Sequence, residues 1–417
     1  MNIYISGISG TGMGPLALMA KKAGFDVSGS DLAQGAIYSE LIASGIEISI
    51  GKQDGGFLKK KIEEGIEWFV YTSALPEEHP ELVLAKEAGI KCSKRDDFTA
   101  FLVETLGLKM VAVAGTHGKT TTTAMIIWAC LKLKLPVSYI VGTTLGFAPS
   151  GSYHDGDKYF VYEADEYDRN FLKYHPWLSV IPVVSYDHPD IYPTIDDYKK
   201  AFLQFKKQSR KVITDKSNLN LTVSPSDFKL AGEVRRKDAL LAMMAVSEIV
   251  NDSGLVQDAN SVEKLVGILN DFPGVGRRFE RIVDGVYTDY AHHPEEVMAT
   301  IDIAKDEAKI RGMKGVIVVY QPHQNTRQHE VRDGYKNAFI GVDKLFWLPT
   351  YLTREDTSLE IIKPEEFISD LPNAEIAEVA DLDDGLKKKL WEYVDNNYLV
   401  ILMTAGPADS WLRNIFD

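Results

Sequence analysis

Apolar runs alternate with helical patterns along the first part of the chain. Residues 3–6 and 26–30 are short β-branched segments typical of strands, whereas residues 15–23 between them carry apolar side chains at helical spacing. The segment 40–44 continues this alternation. Parallel strands need crossover connections, and helices usually supply them. The pattern therefore predicts an α/β, doubly wound beginning.

The alternation resumes after a charged helical segment at residues 94–104, which predicts a domain boundary near Leu106. An apolar run then leads directly into the stretch MVAVAGTHGKTTTT at residues 110–123. A glycine-rich turn between a strand and a helix start is the setting in which backbone N–H groups bind phosphate. This stretch is the most informative part of the sequence.

Length and composition narrow the class of protein. A chain of 417 residues is too long for one ordinary core and predicts about two to four domains, with three as the working number. Its 45% hydrophobic and 25% charged residues are typical of globular proteins. The net charge of −14, with dispersed basic residues, argues against a nucleic-acid partner.

Cysteine usage and the N-terminus indicate where the protein works. Cys92 and Cys130 are isolated in sequence, which fits neither a CxxC metal site nor a disulfide framework. The chain starts with the strand-like NIYISG, without the pattern of a secretory signal, and no apolar run of about 18 residues suggests a membrane span. We expect a cytoplasmic protein without a membrane partner.

Each residue type in the loop GTHGKT suits a nucleotide triphosphate. Gly115 and Gly118 allow backbone N–H groups to face phosphate oxygens, Lys119 supplies positive charge, and Thr120 offers a hydroxyl to Mg²⁺. Val113 stands where the commoner GxxxxGKT motif has its first glycine, so the loop is a variant. A turn that merely links a strand to a helix is the plainer alternative. The residue types favour ATP with Mg²⁺.

A second glycine-rich turn follows the first predicted strand. Gly10 and Gly12 begin a GxGxxG-like pattern, but Pro15 follows where the third glycine is expected, so a nicotinamide site is poorly supported. Asp31 ends the next strand, where doubly wound folds often place a ribose-binding acid. A bound nucleotide diphosphate is the broader hypothesis, and close helix packing without a ligand is the alternative.

Acidic residues collect at strand ends in YEADEYDRNFL and YDHPDIY. Any one of Glu163, Asp165, Glu166 and Asp168 is by default a solvated loop acid, and His188 a turn histidine. A magnesium ion held by a P-loop hydroxyl commonly takes a carboxylate from a neighbouring strand. One or two of these acids are therefore candidate metal partners, and His188 is a further candidate ligand.

Seven motifs, in order, resemble the Mur ligase family over nearly the whole chain. They are GISGTGMG with SGSD, YTSALPEEHPE, AGTHGKTTTT, YEADEYDRNFL with YDHPDIY, PGVGRRFE, TDYAHHPEEV and VVYQPHQNTR. The resemblance implies three domains: residues 1–105, a Rossmann-like domain for a UDP-sugar; residues 106–276, a central P-loop ATPase domain; and residues 277–417, a Rossmann-like domain for an amino acid.

The resemblance also implies a reaction, ATP-dependent addition of L-alanine to UDP-N-acetylmuramate through an acyl phosphate in peptidoglycan precursor synthesis, by a monomer or homodimer. For the amino acid, Arg327 is the preferred carboxylate ligand because its planar fork can bind two oxygens. His293 is a further candidate, and a helix-entry cap is the plainer interpretation of His292 and His293 before Pro294. The implied residues are Lys119, His188 and Arg278 for catalysis; Gly115, Thr116, His117, Gly118, Lys119, Thr120, Thr121, Arg278 and Asp289 for ATP; Thr120, Glu163 and His188 for metal; Gly10, Thr11, Gly12, Met13, Asp31 and Ser73 for the UDP-sugar; and His292, His323 and Arg327 for the amino acid.

The sequence departs from the family pattern where the family usually holds adenine with a His-Asn pair and a second Asn. Val234, Arg235 and Asp238 stand there instead, so ATP binds weakly, another nucleotide is preferred, or Arg235 and Asp238 recognise the base differently. Residues 182–184 also replace a Thr-Asn-Ile segment, and residues 205–232 are short for the strands that usually extend the central domain.

Two other functions remain open. One is a family branch that attaches a ready-made, recycled peptide to the same sugar nucleotide, a branch that shares an Asn-Thr pair like that at residues 325–326, although the QPH at 321–323 favours alanine addition. The other is a nucleotide-binding relative without ligase activity, which the altered base pocket favours and the intact phosphate residues oppose. A dehydrogenase would leave GTHGKT unexplained.

Overall fold

The computed structural model describes residues 1–188, 191–217, 223–254, 261–353 and 355–416. The chain divides into two compact units, one of residues 1–228 with 237–273 and the other of residues 229–236 with 274–417. No helix among the described residues is long and apolar enough to span a bilayer. The fold class is confirmed as α/β, with mostly parallel sheets.

The first unit begins with a five-stranded parallel sheet in the order β3-β2-β1-β4-β5. This order reverses direction between β1 and β4, which is where doubly wound sheets form a ligand crevice. The predicted elements are present, with boundaries shifted by one or two residues. The strands are β1 (Asn2–Ser6), β2 (Asp26–Asp31), β3 (Glu47–Ile50), β4 (Trp68–Tyr71) and β5 (Lys91–Lys94); the helices are α1 (Met13–Lys22), α2 (Tyr38–Ala43), α3 (Gly56–Glu63), α4 (Pro80–Glu87) and α5 (Arg95–Thr105).

The same unit contains a six-stranded sheet in the order β11-β10-β6-β9-β7-β8, in which only the β7–β8 pair is antiparallel. Its strands are β6 (Lys109–Val113), β7 (Val137–Ile140), β8 (Gly151–Ser152), β9 (Tyr159–Glu163), β10 (Leu178–Ile181) and β11 (Lys211–Thr214). Its helices are α6 (Lys119–Lys132), α7 (Ile195–Gln208), α8 (Glu233–Ser253), whose first four residues are grouped with the second unit, and α9 (Val262–Asn270).

The short segment 205–232 carries β11 and a 3₁₀ turn at Pro225–Asp227, while residues 218–222 lie outside the described part of the chain. One hydrophobic cluster joins both sheets of this unit, and it includes Leu16 of α1, Phe98 of α5 and Phe160 of β9. The two sheets therefore share this cluster, while the five-stranded sheet also packs a separate one around Tyr4 and Phe69.

The second unit is built on a six-stranded sheet in the order β12-β13-β17-β14-β15-β16. Alternate residues of its central strand β14 enter two different clusters, Val318 on one face and Val319 on the other, which is why this strand is apolar throughout. The strands are β12 (Glu280–Val283), β13 (Val286–Asp289), β14 (Val316–Gln321), β15 (Lys344–Trp347), β16 (Ala377–Val379) and β17 (Leu399–Thr404); the helices are α10 (Pro294–Ile310), α11 (Asn325–Val331), α12 (Pro364–Ser369), α13 (Asp384–Asp395) and α14 (Ala408–Phe416).

Candidate functional site

The GTHGKT loop joins the carboxyl end of β6 to the start of α6, as the sequence predicts. Two glycines of this loop are required because neighbouring atoms lie too close for a side chain. A Cβ at Gly115 would lie 2.6 Å from the carbonyl oxygen of Val183, and one at Gly118, whose φ is +82°, would lie 2.7 Å from Oδ1 of Asp238. Larger residues would force the loop open, so the glycines keep its N–H groups close to any bound phosphate.

The loop is also held from the side by the segment that follows β10. The Thr116 amide donates to the Val183 carbonyl at 2.8 Å, and the Thr116 hydroxyl donates to the Ser185 carbonyl at 2.6 Å and lies 2.7 Å from the Tyr198 hydroxyl. His117 pairs with Val183 in an isolated antiparallel bridge. The apolar residues at 182–184 thus support the loop through their backbone, which side-chain polarity alone does not reveal.

The Lys119 side chain turns back over its own loop. Its Nζ donates to the Gly115 carbonyl at 2.7 Å and lies 2.9 Å and 2.8 Å from the two carboxylate oxygens of Glu166. Burial alone would lower the pKa of Lys119, but the charge of Glu166 outweighs it and the net pKa is raised. Lys119 is therefore a charged ammonium beside the backbone of the GTHGKT loop.

The predicted metal ligands Thr120 and Glu163 meet at the first turn of α6. The Thr120 hydroxyl donates to Oε1 of Glu163 at 2.8 Å, which joins the loop to the end of β9. The second oxygen, Oε2, is buried and has no hydrogen-bond partner among the residues that the structure describes. A buried acceptor without a donor is costly, and a hard cation is a suitable partner for it. The two residues therefore fit a magnesium ion, and Thr121 follows them on the same turn.

His188 lies close to the same group of residues. Its Nε2 is 3.7 Å from Oε1 of Glu166 and 3.6 Å from Oδ2 of Asp187, and its backbone φ is +58°. Burial opposes the charged imidazole, yet the neighbouring carboxylates of Glu166 and Asp187 raise the pKa of His188 overall. The structure thus brings His188 to the acidic side of the loop.

Glu166 is the residue that sequence reasoning undervalued. It is fully buried rather than solvated, and its own carbonyl accepts a hydrogen bond from Tyr192 at 2.6 Å. Burial would raise its pKa, but Lys119 and His188 lower it below the usual value. Asp168, by contrast, faces Lys94 at 2.7 Å. Only the apolar surroundings of the EADE stretch could have suggested a buried acid.

The first glycine-rich turn lies at the carboxyl edge of the five-stranded sheet, before α1. The Asp31 carboxylate accepts from the amide of Ser9 at 2.8 Å and from its neighbour Leu32 at 2.7 Å, so it shapes this turn directly. A Cβ at Gly12 would overlap the guanidinium of Arg95, which places a cation beside the turn. The predicted UDP-sugar residues at this edge are Gly10, Thr11, Gly12, Met13 and Asp31, while Ser73 is exposed in the loop after β4.

A buried carboxylate in the same sheet was missed from the sequence. Glu81, at the start of α4, accepts hydrogen bonds from the hydroxyls of Tyr4, Ser6 and Ser30 at 2.7, 2.6 and 2.7 Å. Gln53 donates to the same carboxylate at 3.3 Å. Ser6 ends β1 and Ser30 is the next-to-last residue of β2, so Glu81 fixes the polar edge of the crevice. Its position in an ordinary-looking helix start gave no signal.

In the second unit, two of the predicted amino-acid ligands pack together at the carboxyl edge of the sheet. The rings of His292 and His323 are 5.5 Å apart in an edge-to-face arrangement. Burial lowers the pKa of His292, and the charge of Arg327 adds to this effect. Tyr351, which the sequence did not single out, lies 5.8 Å from the His323 ring. His293 instead caps α10 by accepting from the Glu295 amide at 3.3 Å.

Asp289 and Arg278 belong to a neighbouring turn of this unit. The Asp289 carboxylate accepts from the amides of Phe279 and Ala291, both at 2.7 Å, and burial raises its pKa. The Arg278 guanidinium lies 5.2 Å from the Tyr290 ring centroid. Asp289 thus holds the RRFE turn in shape, and its predicted contact with the ATP ribose stays a prediction.

The Asn-Thr pair has an internal role. The buried Asn325 amide donates to the Glu360 carbonyl at 3.0 Å and accepts from the Ile362 amide at 3.0 Å, while the Thr326 amide donates to Glu355 at 3.0 Å. Both residues therefore fasten a loop of the second unit. Among the altered base-pocket residues, Asp238 is buried beside Gly118, whereas Val234 and Arg235 are exposed or nearly so in the first turn of α8.

Comparisons with known proteins agree with the arrangement of motifs. Residues 2–105 match the model of the Mur ligase family, catalytic domain, and residues 113–224 match the Mur ligase middle domain. The chain is similar to the UDP-N-acetylmuramate--L-alanine ligase of Clostridium acetobutylicum, with 30% identity over 98% of this chain and 95% of that protein. The corresponding ligase of Lactobacillus delbrueckii subsp. bulgaricus is 30% identical over 93% of each chain.

Among solved structures, the chain is similar to the UDP-N-acetylmuramate-alanine ligase MurC of Thermotoga maritima. The TM-score is 0.77 and the identity 21%, over 100% of this chain and 98% of that one. At 21% identity, this structural similarity establishes the three-domain fold and nothing finer. Together with the near-complete alignment at 30% identity, it confirms the resemblance drawn from the seven motifs. The chain belongs to the Mur ligase family.

Proposed function

We propose that this protein is an ATP-dependent ligase that joins L-alanine to UDP-N-acetylmuramate in peptidoglycan precursor synthesis. The sugar's lactyl carboxylate attacks the γ-phosphorus of ATP, the bond to ADP breaks, and an acyl phosphate forms. The alanine amine then attacks the acyl carbon, loses a proton, and expels inorganic phosphate. Phosphorylation is needed because a carboxylate oxygen is otherwise a poor leaving group.

The observation that carries this proposal is the meeting of Lys119, Thr120 and Glu163 at one loop. Phosphoryl transfer depends on positioning and on neutralising charge at the transferred group. A charged Lys119 beside the loop amides supplies both requirements for the terminal phosphates of ATP. Relatives that cover almost the full length and are named as alanine ligases support the choice of substrates.

Thr120 and Glu163 are proposed to hold the Mg²⁺ of ATP, and His188 to hold a second ion near the acyl phosphate. When bound, Mg²⁺ neutralises charge on phosphoryl oxygens. The hydroxyl of Thr120 donates to one oxygen of Glu163, and the other oxygen has no hydrogen-bond partner in the described part of the chain, which suits this task. Glu163 would then exchange its bond with Thr120 for the ion.

The amino acid is proposed to bind at His292, His323 and Arg327. Arg327 would take the carboxylate, because a guanidinium can donate two parallel hydrogen bonds. The lowered pKa of His292 keeps its imidazole neutral at physiological pH. A neutral imidazole beside the amine does not add positive charge against the ammonium that must lose its proton.

Arg278 is proposed to contact phosphate and Asp289 the ATP ribose, while the sugar nucleotide would occupy the turn at Gly10–Gly12 with Asp31 and Ser73. The domain boundaries at 105/106 and 276/277, a cytoplasmic location and a monomeric or homodimeric state belong to the same proposal. An ionised aspartate side chain only accepts hydrogen bonds, whereas asparagine both donates and accepts them. Because Asp238 stands where the family has asparagine, the preferred base is tested together with the reaction.

The test is release of inorganic phosphate with UDP-N-acetylmuramate and Mg²⁺. ATP is compared with GTP, and L-alanine with L-Ala-γ-D-Glu-meso-diaminopimelate, as paired substrates. Release that depends on alanine is the expected result. Release that depends on the tripeptide would establish the recycling alternative instead, and no release with any pair, from protein that binds nucleotide, would indicate a relative without ligase activity.

A further inference from the structure

We propose that Glu166 is a positioning residue that exchanges partners during the reaction, holding Lys119 while no nucleotide is bound and His188 once a phosphate has taken Lys119. This inference rests on the proposed function. It gives a different role to Glu166, which the sequence offered as one of several candidate metal partners and which lies outside the proposed metal ligands Thr120, Glu163 and His188.

The first step of the argument is the state of Lys119. An ammonium has three N–H donors, and the three shortest contacts of Nζ are with the Gly115 carbonyl and the two oxygens of Glu166, between 2.7 and 2.9 Å. All three donors are therefore used inside the first unit. A terminal phosphate of ATP gains a hydrogen bond from Lys119 only when one of these contacts is given up, and two of the three are with Glu166.

The second step is what Glu166 has left after that exchange. Its side chain is 1% exposed, so water does not readily replace Lys119. Besides Lys119, the described residues place His188 Nε2 beside this carboxylate, 3.7 Å from Oε1, and a small rotation of the carboxylate would close this distance. A buried carboxylate needs a charged or hydrogen-bonding partner. His188 is thus the next partner of the Glu166 carboxylate.

The third step explains why Glu166 can make this exchange without moving its backbone. Its carbonyl accepts from the hydroxyl of Tyr192 at 2.6 Å and from the amide of Arg169 at 3.1 Å. Both contacts fix the main chain just after β9. The side chain can therefore turn between Lys119, which approaches from the P-loop, and His188, which approaches from the segment after β10.

The proposal predicts a split between binding and turnover in Glu166→Gln. Loss of the carboxylate destabilises the empty site, where Lys119 is buried beside it, more than the nucleotide-bound site, where phosphate is its partner. We expect MgADP and a non-hydrolysable ATP analogue to bind about tenfold more tightly, which is the effect of about one charged hydrogen bond. We expect kcat to fall about tenfold or more, because His188 loses its partner.

Asp165→Asn is the matched control. Asp165 is the neighbouring acid, and it accepts from the Tyr167 amide at 3.1 Å and faces Arg95 at 3.8 Å, without a direct contact to Lys119. If removal of any nearby negative charge tightened nucleotide binding, both variants would show it equally. The exchange of partners predicts a clearly larger gain for Glu166→Gln.

Nucleotide binding is measured by calorimetry and by the rise in Tm with ligand, and kcat by phosphate release. Tighter binding with lower kcat in Glu166→Gln supports the proposal. Weaker binding, as expected if Glu166 merely maintains the fold, would overturn it, as would an unchanged affinity or a gain matched by Asp165→Asn. The binding measurements need no turnover, so they remain decisive even if the wild-type protein lacks ligase activity.

Discussion

At the scale of single residues, several carboxylates have a more definite task than their positions suggest. Asp31 and Asp289 each accept hydrogen bonds from backbone amides and shape turns, whereas one buried oxygen of Glu163 has no donor within the described ranges. The difference matters because a carboxylate whose oxygens already have donors maintains the local geometry, whereas one with an oxygen that lacks a donor can bind a ligand. Among these acids, Glu163 is the strongest candidate for metal binding.

Arg327→Ala should raise the KM for L-alanine strongly. If the guanidinium holds the amino-acid carboxylate, its loss removes a charged hydrogen bond worth about 1.5–3 kcal/mol, or roughly 10- to 150-fold in binding. Steady-state phosphate release at varied alanine gives the KM. L-alaninamide serves as the control substrate, since it lacks the carboxylate. If the wild-type protein used the amide as well as alanine, Arg327 would not have this role.

The two cysteines should differ in reactivity. Cys130 is fully buried in α6 and burial raises its pKa far above the ordinary thiol range, whereas Cys92 is half-buried and its pKa is raised less strongly. The thiolate is the reactive form. A thiol-specific reagent at pH 8 should therefore modify Cys92 slowly and Cys130 only after denaturation. Mass spectrometry of the labelled peptides assigns the site, and fast labelling of Cys130 in native protein would contradict its burial.

At the scale of elements, the sheets bring distant side chains to shared edges. β6 and β9 are parallel neighbours, so the loop after one and the acids after the other meet at their carboxyl ends. That arrangement places Thr120 beside Glu163 and Lys119 beside Glu166. In the second unit, the same principle collects His292 and His323 after β13 and β14.

Close pairing of β1 with β2 should make Gly29 intolerant of a side chain. A Cβ there would lie 2.3 Å from the carbonyl oxygen of Ile5, which is backbone and cannot move aside. We expect Gly29→Ala to lower the free energy of unfolding by about 1–3 kcal/mol or more. Chemical denaturation followed by circular dichroism measures the change.

Gly267→Ala is the matched control for this substitution. Gly267 lies inside α9, and a Cβ at that position would meet no atom within 4 Å. Alanine should stabilise this helix by up to about 1 kcal/mol, because glycine has the greater conformational freedom when unfolded. Equal destabilisation by both substitutions would argue against close strand packing as the cause.

At the scale of the whole molecule, the candidate phosphate loop and the glycine-rich turn near Asp31 stand on two different sheets of the first unit. Their chemistry can therefore be separated by mutation, although the two sheets share one hydrophobic cluster. The candidate amino-acid residues His292, His323 and Arg327 lie in the second unit.

Lys119→Ala should abolish turnover and leave binding of UDP-N-acetylmuramate intact. Removal of one preorganised charge at a transferring group typically costs at least about 100-fold in rate. Calorimetry with the sugar nucleotide and phosphate release give the two quantities. Lys132→Ala, at the other end of α6, is the control and should keep both. Loss of sugar binding in a folded Lys119→Ala protein would contradict the separation of the sites.

The sequence by itself determined the features that depend only on residues close together along the chain. The alternation of strands and helices, the loop from Gly115 to Thr120 and the order of the seven motifs are local patterns, and they were sufficient for the fold class, the family and most candidate ligands. Element boundaries shifted by one or two residues, because capping and packing decide where a helix begins.

Only the tertiary structure decided which polar groups are partners. Lys119 and Glu166 are 47 residues apart, and Ser6 and Glu81 are 75 apart, so no local pattern links them. Parallel strands connected by helices bring such residues to one edge, where burial makes each carboxylate take a particular donor. That packing gives the oxygens of Asp31 and Asp289 their backbone donors and leaves one described oxygen of Glu163 without a donor. It also brings Lys119 and His188 to Glu166.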